Sequence, residues 1–265
     1  MVVTSVRSAS LFPVLKKILA RCSSSHPQPA SAEPAHQSSD AVLNRPGQSN
    51  HHDLPSFLDY ALRVGLPTTS STYVGTHFEY SVLHSLSRYA MTLTRVGGRG
   101  DHGIDLLGTW KPPSVPKQSL QVFVQCKVLG KRSGPGLIRE LEGAFAGTPA
   151  AWKSPSVLGC LVASSLPTSS LRDAMQRCRA PMMFLTVERE SGVVRAWMWN
   201  WAAKEVGLEG LGATLRYGAG DGKSKGGGEQ ESEIILSCGG EVLPPSGRGM
   251  GLSAIQLPRR TEQAN

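Results

Sequence analysis

The stretch from Arg95 to Trp110, RVGGRGDHGIDLLGTW, is followed after a short proline-rich link by Leu120 to Gly130, LQVFVQCKVLG. The first holds five glycines and two aspartates; the second, from Val122 on, is an apolar run interrupted by one amide and one ammonium group. Side chains on a strand point alternately to opposite faces. In QVFVQCK, Val122, Val124 and Cys126 share one face, while Phe123, Gln125 and Lys127 share the other. In GIDLLG, the same alternation sets Ile104 with Leu106 and places Gly103, Asp105 and Leu107 opposite. If the two strands are neighbours, Asp105, Gln125 and Lys127 converge on one patch of sheet.

Two physical reasons explain such a patch. One is a structural salt bridge between Asp105 and Lys127 at the open end of the sheet. The other is phosphodiester hydrolysis, in which a carboxylate and a second oxygen ligand hold Mg2+, a hard cation that prefers oxygen. A metal so held polarises the phosphate and acidifies a bound water. The lysine orients that water or offsets charge at phosphorus, and the nearby glycines let a nucleic-acid backbone approach without Cβ clashes.

Working outward, the order of elements reads helix, three strands, helix, strand, helix, strands. THFEYSVLHSLSRYAM has helical spacing, with Thr76 as expected N-cap and Glu79 completing a capping box. MTLTRV, GIDLLGTW and LQVFVQCKV follow as strands. GPGLIRELEGAFAG is a helix punctuated by Pro135 and Gly147, SVLGCLVAS is a strand covered on both faces, TSSLRDAMQRCR is a helix, and PMMFLTVE and VVRAWMWN are strands. The fold class is α/β: a central mixed β-sheet flanked by helices. EIILSCGGEVL reads as a further strand or hairpin after a Gly-rich, flexible insertion, residues 218–232.

The ends differ in composition. Residues 1–22 are basic, Ser-rich, free of acids and amphipathic, which is the pattern of a mitochondrial transit peptide. Residues 23–70 are read as a disordered linker, 71–243 as the folded domain and 244–265 as a disordered tail. No run of eighteen apolar residues occurs, so no membrane span is expected. The net charge is +8, and residues 71–217 hold 17 basic against 10 acidic side chains, a balance that suits a polyanionic partner such as nucleic acid. Five cysteines without a CxxC pair, and seven histidines without paired spacing, argue against zinc and against a disulfide framework.

Beside the central patch, Arg99, His102, Lys131 and Arg132 are the candidate phosphate contacts. Asp101 suits a glycine turn, Cys126 core packing, Glu140 and Glu142 a solvated helix face, and Trp197, Trp199 and Trp201 a strand that covers the core.

The residues FE on the first helix, then GGRGDHGIDLLG, then VFVQCK, resemble the PD-(D/E)xK nuclease superfamily, in its branch related to restriction endonucleases that cleave methylated DNA. The pieces YVGTHFEYSVL, RVGGRGDHGIDLLGTW, VQCK, GPGLIRELEGAF and GLEGLGATLRY, between Tyr73 and Leu243, are similar to a fungal mitochondrial family described as required for respiratory growth, its seventh member. The resemblance implies a restriction-endonuclease-like fold. It implies Asp105 as principal metal ligand, Gln125 in the place of the second acid, Lys127 as catalytic lysine and Glu79 as the helix glutamate that joins the site. It further implies Mg2+ or Mn2+ as cofactor, mitochondrial DNA as partner, the mitochondrial matrix as location, and a homodimer, since nuclease domains of this type often pair. Gln125 departs from the superfamily: its carbonyl binds Mg2+ but brings no charge, so Glu79 or Asp101 has to supply the second carboxylate.

Overall fold

A computed structural model of the chain describes residues 50–98, 102–115, 117–152, 156–217, 232–243 and 245. The transit-peptide segment, the C-terminal tail apart from Pro245, Arg99, Asp101 and residues 218–231 of the insertion lie outside the described residues. Among the described residues no helix is long and apolar enough to cross a membrane.

The chain begins its described part with a helix inside the segment read as linker. Helix α1 spans Leu54–Val64. Asp53 caps it, accepting from the Ser56 amide, Pro55 lies in the first turn, and Gly65 closes it with φ 66°. Leu54, Phe57 and Ala61 bury one face of α1 against Tyr80 of the next helix, which is why the segment is ordered.

Helix α2 spans Ser71–Ser87. Its N-cap is Ser70, whose hydroxyl accepts from the Tyr73 amide at 3.2 Å. The expected capping box of Thr76 and Glu79 is not formed: Thr76 is buried inside the helix, and Glu79 pairs with Arg95 of the sheet. The helix starts earlier because Ser70 offers a cap where the chain still has extended backbone.

Strands β1 (Met91–Arg95), β2 (Leu106–Trp110) and β3 (Leu120–Lys127) form an antiparallel meander. Helix α3 (Gly136–Ala144) returns the chain to β4 (Val157–Ala163), parallel to β3, and α4 (Ser169–Arg177) returns it to β5 (Met182–Val187), parallel to β4. Strand β6 (Val194–Trp199) closes the far edge antiparallel to β5. The result is a six-stranded mixed sheet ordered β1-β2-β3-β4-β5-β6, flanked by helices. A short helix α5 (Trp201–Ala203) and one π-turn (Lys204–Leu208) lead to a separate three-stranded sheet of β7 (Leu211–Tyr217), β8 (Ser232–Cys238) and β9 (Glu241–Leu243). The expected hairpin is β8–β9, but it pairs with β7 and not with the main sheet.

Each face of the main sheet carries its own core. Phe78, Val82 and Leu86 of α2 pack on Val122, Val124, Cys160 and Leu185, and Ile234 and Leu236 of the small sheet join them. On the other face Ile138, Leu141, Leu171 and Met175 of α3 and α4 pack on Phe123, Leu161 and Phe184. Trp197 belongs to the first core beside Tyr89 and Trp110. The three tryptophans do not share a strand: Trp201 starts α5 and is 65 % exposed.

Candidate active site

The site lies where β2 and β3 run out beneath the N-terminal half of α2. The Asp105 backbone is held on both sides: its N–H donates to the Val124 carbonyl at 2.8 Å, and its carbonyl accepts from the Val96 and Gly97 amides at 2.8 and 2.9 Å. This clamp sits one residue before β2, so the alternation expected of Ile104 and Leu106 breaks. Ile104 packs with Leu107 on the α3–α4 side, while Leu106 faces α2. A strand rule fails here because the residue is not yet in the ladder.

Freed from the alternation, the Asp105 carboxylate accepts from the Cys126 amide at 2.6 Å, through Oδ2. It therefore touches the peptide that joins Gln125 to Cys126. Oδ1 turns toward Gly97, where a Cβ would lie 3.1 Å from Asp105 Oδ1 and 3.2 Å from Glu79 Oε2. Both carboxylates border one glycine, and any side chain there presses on both. Glu79 comes from α2; its Oε2 accepts from Arg95 Nε at 2.5 Å, and both side chains are largely buried. Arg95 is the last residue of β1 and was not singled out from the sequence.

Gln125 is buried, with 5 % of its surface exposed, and its Oε1 makes no hydrogen bond. The carboxamide nitrogen would lie 2.9 Å from a Cβ at Gly103, whose φ is +79°, so glycine there is required twice over. An unpaired buried carbonyl oxygen costs about 1–3 kcal/mol. Lys127 pairs with Glu140 of α3, Nζ to Oε2, at 2.8 Å. Glu140 is thus not merely a solvated side chain. Glu142 accepts weakly from the Cys178 thiol at 3.5 Å. Asp105 and Lys127 are each drawn to other partners that the sequence did not single out for them.

Burial first, then the Asp105 and Glu79 charges, push the Cys126 thiol well above its ordinary value. It stays protonated near neutral pH, so it is neither a nucleophile nor a thiolate ligand. The groups open to a hard cation are oxygens alone: the Asp105 and Glu79 carboxylates and the orphaned Gln125 carbonyl. Among the described residues no cluster of three His, Cys, Asp or Glu side chains has metal-site geometry. A cation held here would draw on one amide oxygen to complete its set.

The remaining candidates lie further out. His102 is exposed in a left-handed turn, φ 54°, with its Cβ against Gly147 after α3. Lys131 and Arg132 are exposed in the loop from β3 to α3. A cleft of about 280 Å³, lined by Ser71, Gly75, Glu79, Cys126 and Lys127 among others, lies between α2 and the end of β3.

The family model described as Required for respiratory growth protein 7 matches residues 70–119 and 113–217, more than half of the chain. A mitochondrial protein of Schizosaccharomyces pombe, described as uncharacterized, is 38 % identical over 125 residues, 46 % of this chain and 49 % of that protein. This chain thus spans about half of that relative's length. The Required for respiratory growth protein 7 of Candida glabrata is 26 % identical over 179 residues, 51 % of this chain and 71 % of that protein. That of Vanderwaltozyma polyspora is 23 % identical over 193 residues, 56 % of this chain and 73 % of that protein. No solved structure matches. All three relatives are named as mitochondrial, and the chain is a mitochondrial protein. The matched residues run from the cap of α2 to the end of β7 and so enclose Glu79, Asp105, Gln125 and Lys127, which makes this chain a member of the Required for respiratory growth protein 7 family.

Proposed function

We propose that the domain is a metal-dependent nuclease of the PD-(D/E)xK kind, acting on mitochondrial DNA in the matrix in support of respiratory growth. The observation that carries the reading is the meeting of Asp105 with Glu79 at Gly97, with the Asp105 carboxylate on the peptide that follows Gln125, whose buried carbonyl oxygen has no partner. Asp105, Glu79 and Gln125 would hold Mg2+ or Mn2+. A divalent ion bound there supplies charge against the phosphate and acidifies water. Lys127, at the end of β3 and paired with Glu140, would orient water or offset phosphate charge once Glu140 gives way. The excess of basic over acidic side chains in residues 71–217 supports a polyanionic substrate.

A second reading keeps nucleic-acid binding and drops hydrolysis. What favours it is that Glu79 is paired with Arg95 and Lys127 with Glu140, while Gln125 brings no charge. A cleavage assay on single-stranded, duplex and branched DNA separates the two. Cutting that needs Mg2+ or Mn2+, stops on chelation and is lost in Asp105→Asn and Lys127→Ala supports the nuclease. Salt-sensitive binding without cutting, indifferent to both substitutions, supports the binding factor.

A further inference from the structure

The cleft at Glu79 and Lys127 does not end at the site. Val74 and Phe78 of α2 line it, and they also line a second recess of about 350 Å³ whose other walls include Tyr73, His77 and Arg189. The two recesses share the Val74–Phe78 wall and lie side by side along the N-terminal half of α2, as a groove interrupted by that wall. The groove passes the carboxyl end of β3 at Lys127 and reaches Arg189, two residues past the end of β5. Carboxyl ends of parallel strands are where open α/β sheets take ligands.

The far end of the groove has the chemistry of a nucleotide subsite. The Tyr73 and His77 rings stack, with centroids 5.9 Å apart and planes 22° from parallel. Arg189 is exposed and forms no ion pair among the described residues. Glu190 stands on the same wall. Aromatic faces hold bases by stacking, and a guanidinium holds phosphate. A base inside a duplex is already stacked above and below, and reaches such a pair only when unpaired.

We infer that the groove binds an unpaired nucleic-acid strand, with one base laid against Tyr73 and His77, a phosphate at Arg189, and the strand leading to the Glu79–Lys127 site. The course of the strand toward that site rests on the hydrolytic reading; the binding does not.

The test is binding in EDTA at fixed salt, so that no cleavage intervenes. The probes are a short single-stranded oligonucleotide carrying 2-aminopurine and the duplex of the same sequence. Arg189→Glu changes an exposed side chain, and Tyr73→Leu keeps bulk against Phe57. Each is expected to weaken single-strand binding roughly 5- to 100-fold while duplex affinity is unchanged. Tyr73→Leu also loses the 2-aminopurine quenching, and Glu190→Gln tightens binding by removing a repelling charge. Absent single-strand binding in the wild type, wild-type affinity in both variants, or an equal loss for duplex overturns the proposal. Asp105→Asn keeps the two readings apart. If the wild type never cuts DNA but the groove variants lose single-strand binding, the groove stands and the nuclease falls. If Asp105→Asn abolishes real cutting while the groove variants bind normally, the reverse holds.

Discussion

Strands β3 and β4 lie side by side and parallel in the middle of one sheet, paired from Gln121↔Val157 to Lys127↔Ala163. Each of the two strands has a hydrophobic core on both of its faces. Strand β4, VLGCLVA, is buried at all seven positions and bears no charge or amide side chain. Strand β3 is buried from Val122 to Gln125, with a half-buried Gln121 before them and half-buried Cys126 and Lys127 after, and it sets Gln125 opposite Leu161 and Lys127 opposite Ala163. Gln125 is buried as its partner Leu161 is, so packing alone does not ask for an amide there, whereas Lys127 lies partly in solvent. Strand β4 shows what packing requires, and the difference isolates what β3 carries beyond it.

The largest expected effect falls on activity. On the hydrolytic reading, Asp105→Asn and Lys127→Ala each lower Mg2+-dependent DNA cleavage by roughly 10²- to 10³-fold, with thermal melting close to wild type. A large loss of stability instead would make the polar end of β3 structural. Next comes Gly159→Val in β4. A Cβ there lies 2.9 Å from Phe123 Cζ and 2.9 Å from Phe145 Cε2, in an edge-to-face pair 4.8 Å apart. Overpacking of this kind costs about 3 kcal/mol, read by denaturant unfolding, and tolerance of valine would show that β4 is not the rigid half. A smaller and opposite effect is expected for Gln125→Leu, which gives β3 the residue β4 has in register. Removing an unmade buried hydrogen bond should stabilise the domain by about 1 kcal/mol while ending metal-dependent cleavage. A loss of stability would mean that the amide serves the fold.

The smallest concerns His77 on the helix above β3. Its proton affinity is lowered in the folded state, so the unfolded chain takes up the proton first as pH falls. Stability is therefore full above the ordinary histidine range and declines as pH drops through it toward the lowered value. Thermal melting measured between neutral and mildly acidic pH should fall, and His77→Gln should flatten part of that slope.

Much of the β3–β4 contrast was legible without coordinates. The alternation in QVFVQCK separated Gln125 and Lys127 from Val122, Val124 and Cys126, and the unbroken apolar run of β4 announced a strand covered on both faces. Helix α1 was missed, although Asp53, Pro55 and Gly65 mark both of its ends. It is short, and only its contact with α2 shows which face is apolar enough to hold it. Strand β7 was passed over because its burial alternates only weakly and its partner β8 lies beyond residues 218–231. The N-cap at Ser70 was displaced by a capping box that Thr76 and Glu79 satisfy on spacing alone.

The sequence by itself determined the two periodicities, hence the mixed sheet between helices, and it put an acid, an amide and a lysine at the ends of adjacent strands. It did so because alternation and turn chemistry are local, set by each residue's own backbone and near neighbours. Only the tertiary structure decided which charges meet: Glu79 with Arg95, Lys127 with Glu140, Asp105 with the Cys126 amide, and the Gln125 oxygen with nothing. Those pairings join residues on separate elements through contacts of a few ångströms, and a shift of one turn in α2 or α3 would change the partners of Glu79 and Lys127 while leaving every local pattern intact.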